Sequence, residues 1–229
     1  MDRDLLLAEE LLLLSLDEKG SDQTWLSVDG GLAGALLLEL TEDGALRLDE
    51  DDKLAPGGAV PADPLLVEAL EAVRSADKPR DAKHWVSKLS GELKPLRRRL
   101  AERLVELGIL GEDRKELLGL TVSRRYPERD PEPERALRAR LLAILTGEAE
   151  PAPRDAELIG LLRPFDLVAK NVPREHRREA KRRAKEIAET GPVNSAVSRE
   201  VADVQIAIMA GTAAAVFVDG GGGGGDGGG

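Results

Sequence analysis

Trp85-Val86-Ser87-Lys88-Leu89-Ser90-Gly91-Glu92, running into Leu96-Arg97-Arg98-Arg99-Leu100-Ala101-Glu102-Arg103-Leu104-Val105-Glu106-Leu107-Gly108-Ile109-Leu110, sets the class of the fold. It joins a Gly-marked break at Ser90-Gly91, a basic helix start and an apolar helix end. The spacing predicts a helix over about 94–107 that stops at Gly108, a residue suited to the left-handed position after a helix. Another begins near Asp81 and carries His84 and Trp85, with Val86 and Leu89 as neighbours that put Trp85 in the core.

Upstream, Leu5–Leu7 and Leu11–Leu14 flank Glu9-Glu10 and predict a helix with one wide apolar face, ending near Lys19-Gly20. Gly31 to Leu40 reads as a second, nearly all-apolar helix whose small first residues allow close packing. Ala45–Leu48 alternates like a short strand, and Asp49–Asp52 with Pro56–Pro64 reads as loop. Asp63-Pro64 places a capping residue before a helix-starting proline, so a helix to about Ser75 follows.

Downstream, Ile109-Leu110 and Leu117–Val122 are expected to pair as a β-hairpin across a polar Glu112–Lys115 turn. Helices are expected over Glu134–Leu145, Asp155–Leu162, Arg174–Glu189 and Ser195–Phe217, the last being the most apolar. Gly220–Gly229 reads as a flexible tail. The fold class is therefore mainly α, one helical domain over residues 1–218 with a tail at 219–229.

The chain has 229 residues, a formal net charge of −10, no cysteine and two histidines, His84 and His176. Absent thiols remove disulfides, thiolate nucleophiles and Cys-type zinc sites. The acidic balance argues against general nucleic-acid binding, which needs a basic footprint. Met1-Asp2-Arg3-Asp4 lacks the basic start of a secretory signal, and Ile206–Val218 is shorter than the ~20 residues of a membrane span. The expectation is a cytoplasmic protein that meets membranes from outside. No Gly-x-Ser-x-Gly elbow, Walker loop, His-Glu-x-x-His or dinucleotide fingerprint is present, so no catalytic residue, cofactor or metal site is nominated.

Two basic clusters stand out. Lys94, Arg97, Arg98, Arg99 and Arg103 fall at helical spacings, and guanidinium groups bind phosphate oxygens bidentately. The bland alternative is a solvated face paired with Glu92, Glu102 and Glu106. The denser cluster Arg174, Arg177, Arg178, Lys181, Arg182, Arg183 and Lys185 reads either as a helix resting on an anionic bilayer or as an exposed outer helix. Trp25 sits in a polar, Gly-bounded segment, where an interfacial or ligand-stacking ring belongs; its bland reading is a loop anchor.

Glu9-Glu10-Leu11-Leu12-Leu13-Leu14, Gly31-Leu32-Ala33-Gly34 through Glu39-Leu40, the Trp85–Glu92 block and Arg99-Leu100-Ala101-Glu102 through Gly108 occur in an order that resembles the Golgi phosphoprotein 3 family. The Ala/Arg/Gly/Leu-rich composition suggests a bacterial member. The resemblance implies a helical core with peripheral amphipathic helices and a projecting hairpin. It also implies a peripheral membrane protein; with no catalytic motif in the sequence, no enzymatic activity is expected. Its pocket for a phosphatidylinositol 4-phosphate headgroup would be formed by Trp25, Lys94 and Arg97, with Arg98 as neighbouring donor. A third basic position of the family falls on Ala33. Leu117, Leu118, Leu120 and Val122 match the hydrophobic hairpin implicated in membrane contact and oligomerisation. Family members also serve as adaptors for the cytosolic tails of membrane enzymes. The alternatives are a helical protein-interaction scaffold without lipid binding and, third, a DNA-binding regulator using 94–122 as a winged reader.

Overall fold

A computed structural model describes residues 5–24, 27–117 and 120–190. The predicted helix over 195–217 and the glycine tail lie outside the described residues. Among those described, the chain forms nine α-helices and two short antiparallel strand pairs, the mainly α architecture expected.

Helix α1 (Leu7–Ser15) and helix α2 (Asp29–Glu42) pack together at the centre. Every residue of α1 is buried, including Glu9 and Glu10, so it has no solvent-facing polar side. Full burial of a leucine contributes roughly 1.5–3 kcal/mol relative to exposure, and Leu7 and Leu11 to Leu14 supply that along the helix. Its first turn has no polar capping side chain in sequence. Instead Glu9 accepts from the Leu6 amide at 2.9 Å and Glu39 of α2 accepts from the Leu7 amide at 2.5 Å, satisfying N–H groups that a helix start leaves open. Gly31 lets α2 approach, since a Cβ there would stand 2.7 Å from the Phe165 ring.

Helix α1 ends at Ser15 rather than near Lys19. The Asp17 carboxylate accepts from the amides of Lys19 and Ser21 at 2.9 and 2.8 Å, a local turn that competes with helix continuation. Strand β1 (Leu46–Leu48) pairs with β2 (Leu54–Pro56), so the acidic Asp49–Asp52 stretch is a hairpin connection between strands. Helix α3 (Pro64–Arg74) starts as predicted, with Asp63 accepting from the Leu65 and Leu66 amides.

Helix α4 (Ala82–Glu92) passes through Ser90-Gly91 without a break. The chain turns at Leu93–Pro95 instead, because Pro95 has no amide to donate into the preceding turn. Helix α5 (Leu96–Glu106) then runs to Gly108, whose φ of +75° is the left-handed conformation anticipated for it. Trp85 is fully buried, as predicted. Both α4 and α5 pack on α2, and α5 also packs on α1.

Strand β3 (Asp113–Leu117) pairs with β4 (Leu120–Arg125), which moves the hairpin. The predicted Glu112–Lys115 turn is largely strand, and Ile109-Leu110 is not its partner; Leu110 instead bridges Glu128. The register sets Arg114 opposite Arg124, a repulsive pairing. Glu112 resolves it by accepting from Arg114 at 2.7 Å and from Arg124 at 3.0 Å.

Helices α6 (Glu132–Leu145) and α7 (Pro153–Leu162) close over α1. The short α8 (Leu167–Lys170) follows, and α9 (Arg177–Thr190) lies outside it, packed on α6, α7 and α8 through Ala180, Ala184 and Ile187. No helix of the described residues is long and apolar enough to cross a membrane.

Candidate functional site

The segment after α1 is held from several directions. Asp22 bridges back to Leu16, and the Gln23 amide donates to the Ser15 carbonyl at 2.8 Å. Gly20 has φ +71°, and a Cβ there would stand 2.2 Å from the Tyr126 carbonyl carbon, so only glycine lets this loop lie against residues 126–128.

Two cations from separate helices reach the same loop. Arg97, in the first turn of α5, donates to the Asp22 carboxylate at 2.5 Å. Lys170, the last residue of α8, donates through Nζ to the Gln23 carbonyl. Helix α8 is itself fixed to the end of α1, because buried Asn171 donates to the Leu14 and Leu167 carbonyls, each at 2.9 Å. Burial pushes the Asp22 carboxyl above its ordinary range; the Arg97 guanidinium opposes that, while Asp29 and Asp17 add to it.

Trp25 lies outside the described residues, immediately after this anchored loop in sequence. Lys94 is exposed and stands before α5 rather than on it, so the helical spacing expected of Lys94, Arg97 and Arg98 does not apply to Lys94. Arg98 is exposed and pairs with Glu102 at 3.4 Å. Thus Arg97 and the loop entering Trp25 are brought together, while among the described residues no hydrogen bond or ion pair joins Lys94 or Arg98 to that loop. Ala33 is fully buried in α2, so the position matched to a third basic residue faces the core.

Arg99 and Arg103 belong to the body of the protein. Arg99 pairs with Glu68 of α3. Arg103 donates to Glu9 at 2.9 Å and to Asp63 at 3.0 and 2.6 Å. Burial raises the Asp63 carboxyl, but hydrogen bonds from Arg103 and the Leu65 amide outweigh it and leave it below the usual range. Sequence reasoning missed Lys170. Its only signal was the polar Lys170-Asn171 pair inside the apolar stretch from Leu167 to Val172.

In the hairpin, Leu117 is registered opposite Leu120 at the closed end. Leu118 lies outside the described residues, and of Leu117, Leu120 and Val122 the structure gives strand position alone. On another part of the surface, a groove of about 1280 Å³ is lined by Glu10, Glu39, Glu42, Asp43, Asp130 and Glu132, with Arg140 and Arg154 among them. Burial raises the Glu10 and Glu39 carboxyls despite the nearby Arg154.

A family model described as Golgi phosphoprotein 3 matches residues 7–204. The chain is similar to vacuolar protein sorting-associated protein 74 of Schizosaccharomyces pombe, with 29% identity over 165 residues, 62% of this chain and 48% of that protein. It therefore spans about half the length of this curated relative.

Proposed function

The chain belongs to the Golgi phosphoprotein 3 family, and from that premise we propose that it is a peripheral membrane protein binding a phosphoinositide headgroup of the phosphatidylinositol 4-phosphate type. Trp25, Lys94 and Arg97 form the binding surface and Arg98 is a neighbouring donor. The observation that carries the reading is the hold of Arg97 on the loop that enters Trp25. A headgroup phosphate competes with the Asp22 carboxylate for that guanidinium, and a charge-assisted hydrogen bond gained there is worth about 1.5–3 kcal/mol. The protein works by binding and not by turnover. The hairpin carrying Leu117, Leu118, Leu120 and Val122 adds membrane contact or joins copies of the chain, which raises avidity.

Sedimentation with phosphatidylcholine vesicles, with and without phosphatidylinositol 4-phosphate, tests this. The full chain is expected in the pellet only with the phosphoinositide, and Arg97→Ala is expected to weaken binding about tenfold or more. Sedimentation that ignores the phosphoinositide overturns the headgroup reading.

The acidic groove favours an adaptor role alongside lipid binding, because Asp43 and Asp130 in its lining form no ion pair among the described residues and suit a cationic segment such as a basic cytosolic tail of a membrane protein. Asp43→Asn with Asp130→Asn is expected to weaken capture of a Lys/Arg-rich peptide. Equal capture by the variant and the parent protein removes that role.

A further inference from the structure

The basic cluster from Arg174 to Lys185 spans the turn before α9 and the helix itself, and its two halves differ in the folded chain. Lys181 pairs with Asp166 at 2.7 Å, Arg182 with Glu179 and Glu186, Arg183 with Glu150 and Glu186, and Lys185 with Glu189. That half is neutralised by carboxylates of α9 and of neighbouring segments. Arg174, Arg177 and Arg178 are all exposed and, among the described residues, form no ion pair. Glu175 is the acidic residue inside this stretch; Asp166 and Glu179, its other acidic neighbours in the chain, are engaged by Lys181 and Arg182. Lys170 extends the same corner, and its bond to the Gln23 carbonyl sets the corner beside the loop that Arg97 grips from α5.

We propose that Arg174, Arg177 and Arg178 form a second membrane contact that takes the diffuse charge of an anionic phospholipid surface, separate from the headgroup pocket, with Lys170 as the tie between the two. The partner is a bilayer because these arginines are exposed and, among the described residues, carry no ion pair. Arg174 lies in the turn just before α9 and Arg177 and Arg178 in its first turn, an exposed run of charge that suits a plane of charge better than a single ligand. The buried side of α9, Ala180, Ala184 and Ile187, is spent on the core, so the helix lies on the surface without inserting. The tie from Lys170 to Gln23 sets this contact beside the loop that Arg97 grips, so both contacts meet one bilayer and a body of net charge −10 approaches in a single orientation. This rests on the membrane-surface reading, but not on phosphoinositide recognition.

The test uses the full chain and phosphatidylcholine vesicles containing phosphatidylglycerol and no phosphoinositide, at low salt. Each cation near such a surface contributes about fivefold in affinity, so Arg174→Gln, Arg177→Gln and Arg178→Gln together are expected to reduce binding about a hundredfold. The matched variant Lys181→Gln, Arg182→Gln and Lys185→Gln removes equal charge from the paired half and is expected to lose far less. Circular dichroism of both variants reports whether the exposed substitutions leave the fold unchanged. Equal losses from the two variants would show a bulk charge effect and overturn the proposal, as would a parent protein that ignores phosphatidylglycerol vesicles. Binding to phosphatidylglycerol with no gain from phosphatidylinositol 4-phosphate sinks the pocket and leaves this contact standing. A requirement for the phosphoinositide, with no response to phosphatidylglycerol, does the reverse.

Discussion

Glu9 has almost no solvent contact, and its two oxygens are divided between the Leu6 amide and the Arg103 guanidinium. Removing that arginine leaves the carboxylate without a countercharge, so Arg103→Met is expected to destabilise the fold by about 3–5 kcal/mol, read from the denaturant midpoint. Arg103→Lys should recover part of the loss. Asp63 gives the pH dependence its sign. Its folded carboxyl lies below the ordinary value of about 3.9, so its stabilisation is complete above that pH and is lost as pH falls through the folded value. Acid unfolding of Asp63→Asn is expected to show a flatter limb below about pH 4. Glu10 and Glu39 act oppositely: their raised carboxyls favour the fold at low pH, and that contribution is lost as pH rises through their folded values. Asp22 is the residue that restrains Arg97. Freeing the guanidinium with Asp22→Asn is expected to strengthen sedimentation with phosphatidylinositol 4-phosphate vesicles several-fold; weaker binding would mean that Asp22 positions Arg97 instead.

At the level of elements, the loop before Trp25 depends on Gly20. Forcing a side chain into its left-handed conformation costs about 1–2 kcal/mol before the clash with Tyr126 is counted, so Gly20→Ala should lower the melting temperature and weaken vesicle binding together. The hairpin separates two kinds of attachment. Leu118→Asp is expected to reduce vesicle binding at every salt concentration, and Arg97→Ala chiefly at low salt, because only the second contact is screened. Elements specified by neighbouring residues were readable in the sequence: Asp63-Pro64 starts α3, and Gly108 stops α5. Elements specified by distant partners were not. The Glu9-Glu10 pair reads as a polar face until Arg103 and Arg140 arrive from 94 and 130 residues away. The hairpin turn was misread because Glu112, outside β3, makes its arginine-rich strands compatible. Of the site, Arg97 was readable through the family pattern, whereas Lys170 acts on a backbone carbonyl 147 residues away and has no local signature.

Across the whole molecule, charge is sorted by place. Among the described residues, acidic groups line the groove beside α1 and α2, while Arg174, Arg177 and Arg178 gather without ion pairs at the start of α9. Attachment should therefore weaken steadily as the Debye length shrinks from ~10 Å at 0.1 M salt to ~3 Å at 1 M. The carboxylates of α1 also govern when the protein can fold. Glu10 is met by Arg140 at 3.0 Å and by Arg154 at 3.5 Å, two arginines made long after it. At roughly 5–20 residues per second, α1 leaves the ribosome on the order of ten seconds before α7 does. Throughout that interval its leucines have a reason to collapse and its glutamates have a reason not to. The central helix must wait for the chain that encloses it, and nascent chains halted at Glu150 should be cleaved by protease within α1, where the full-length chain resists.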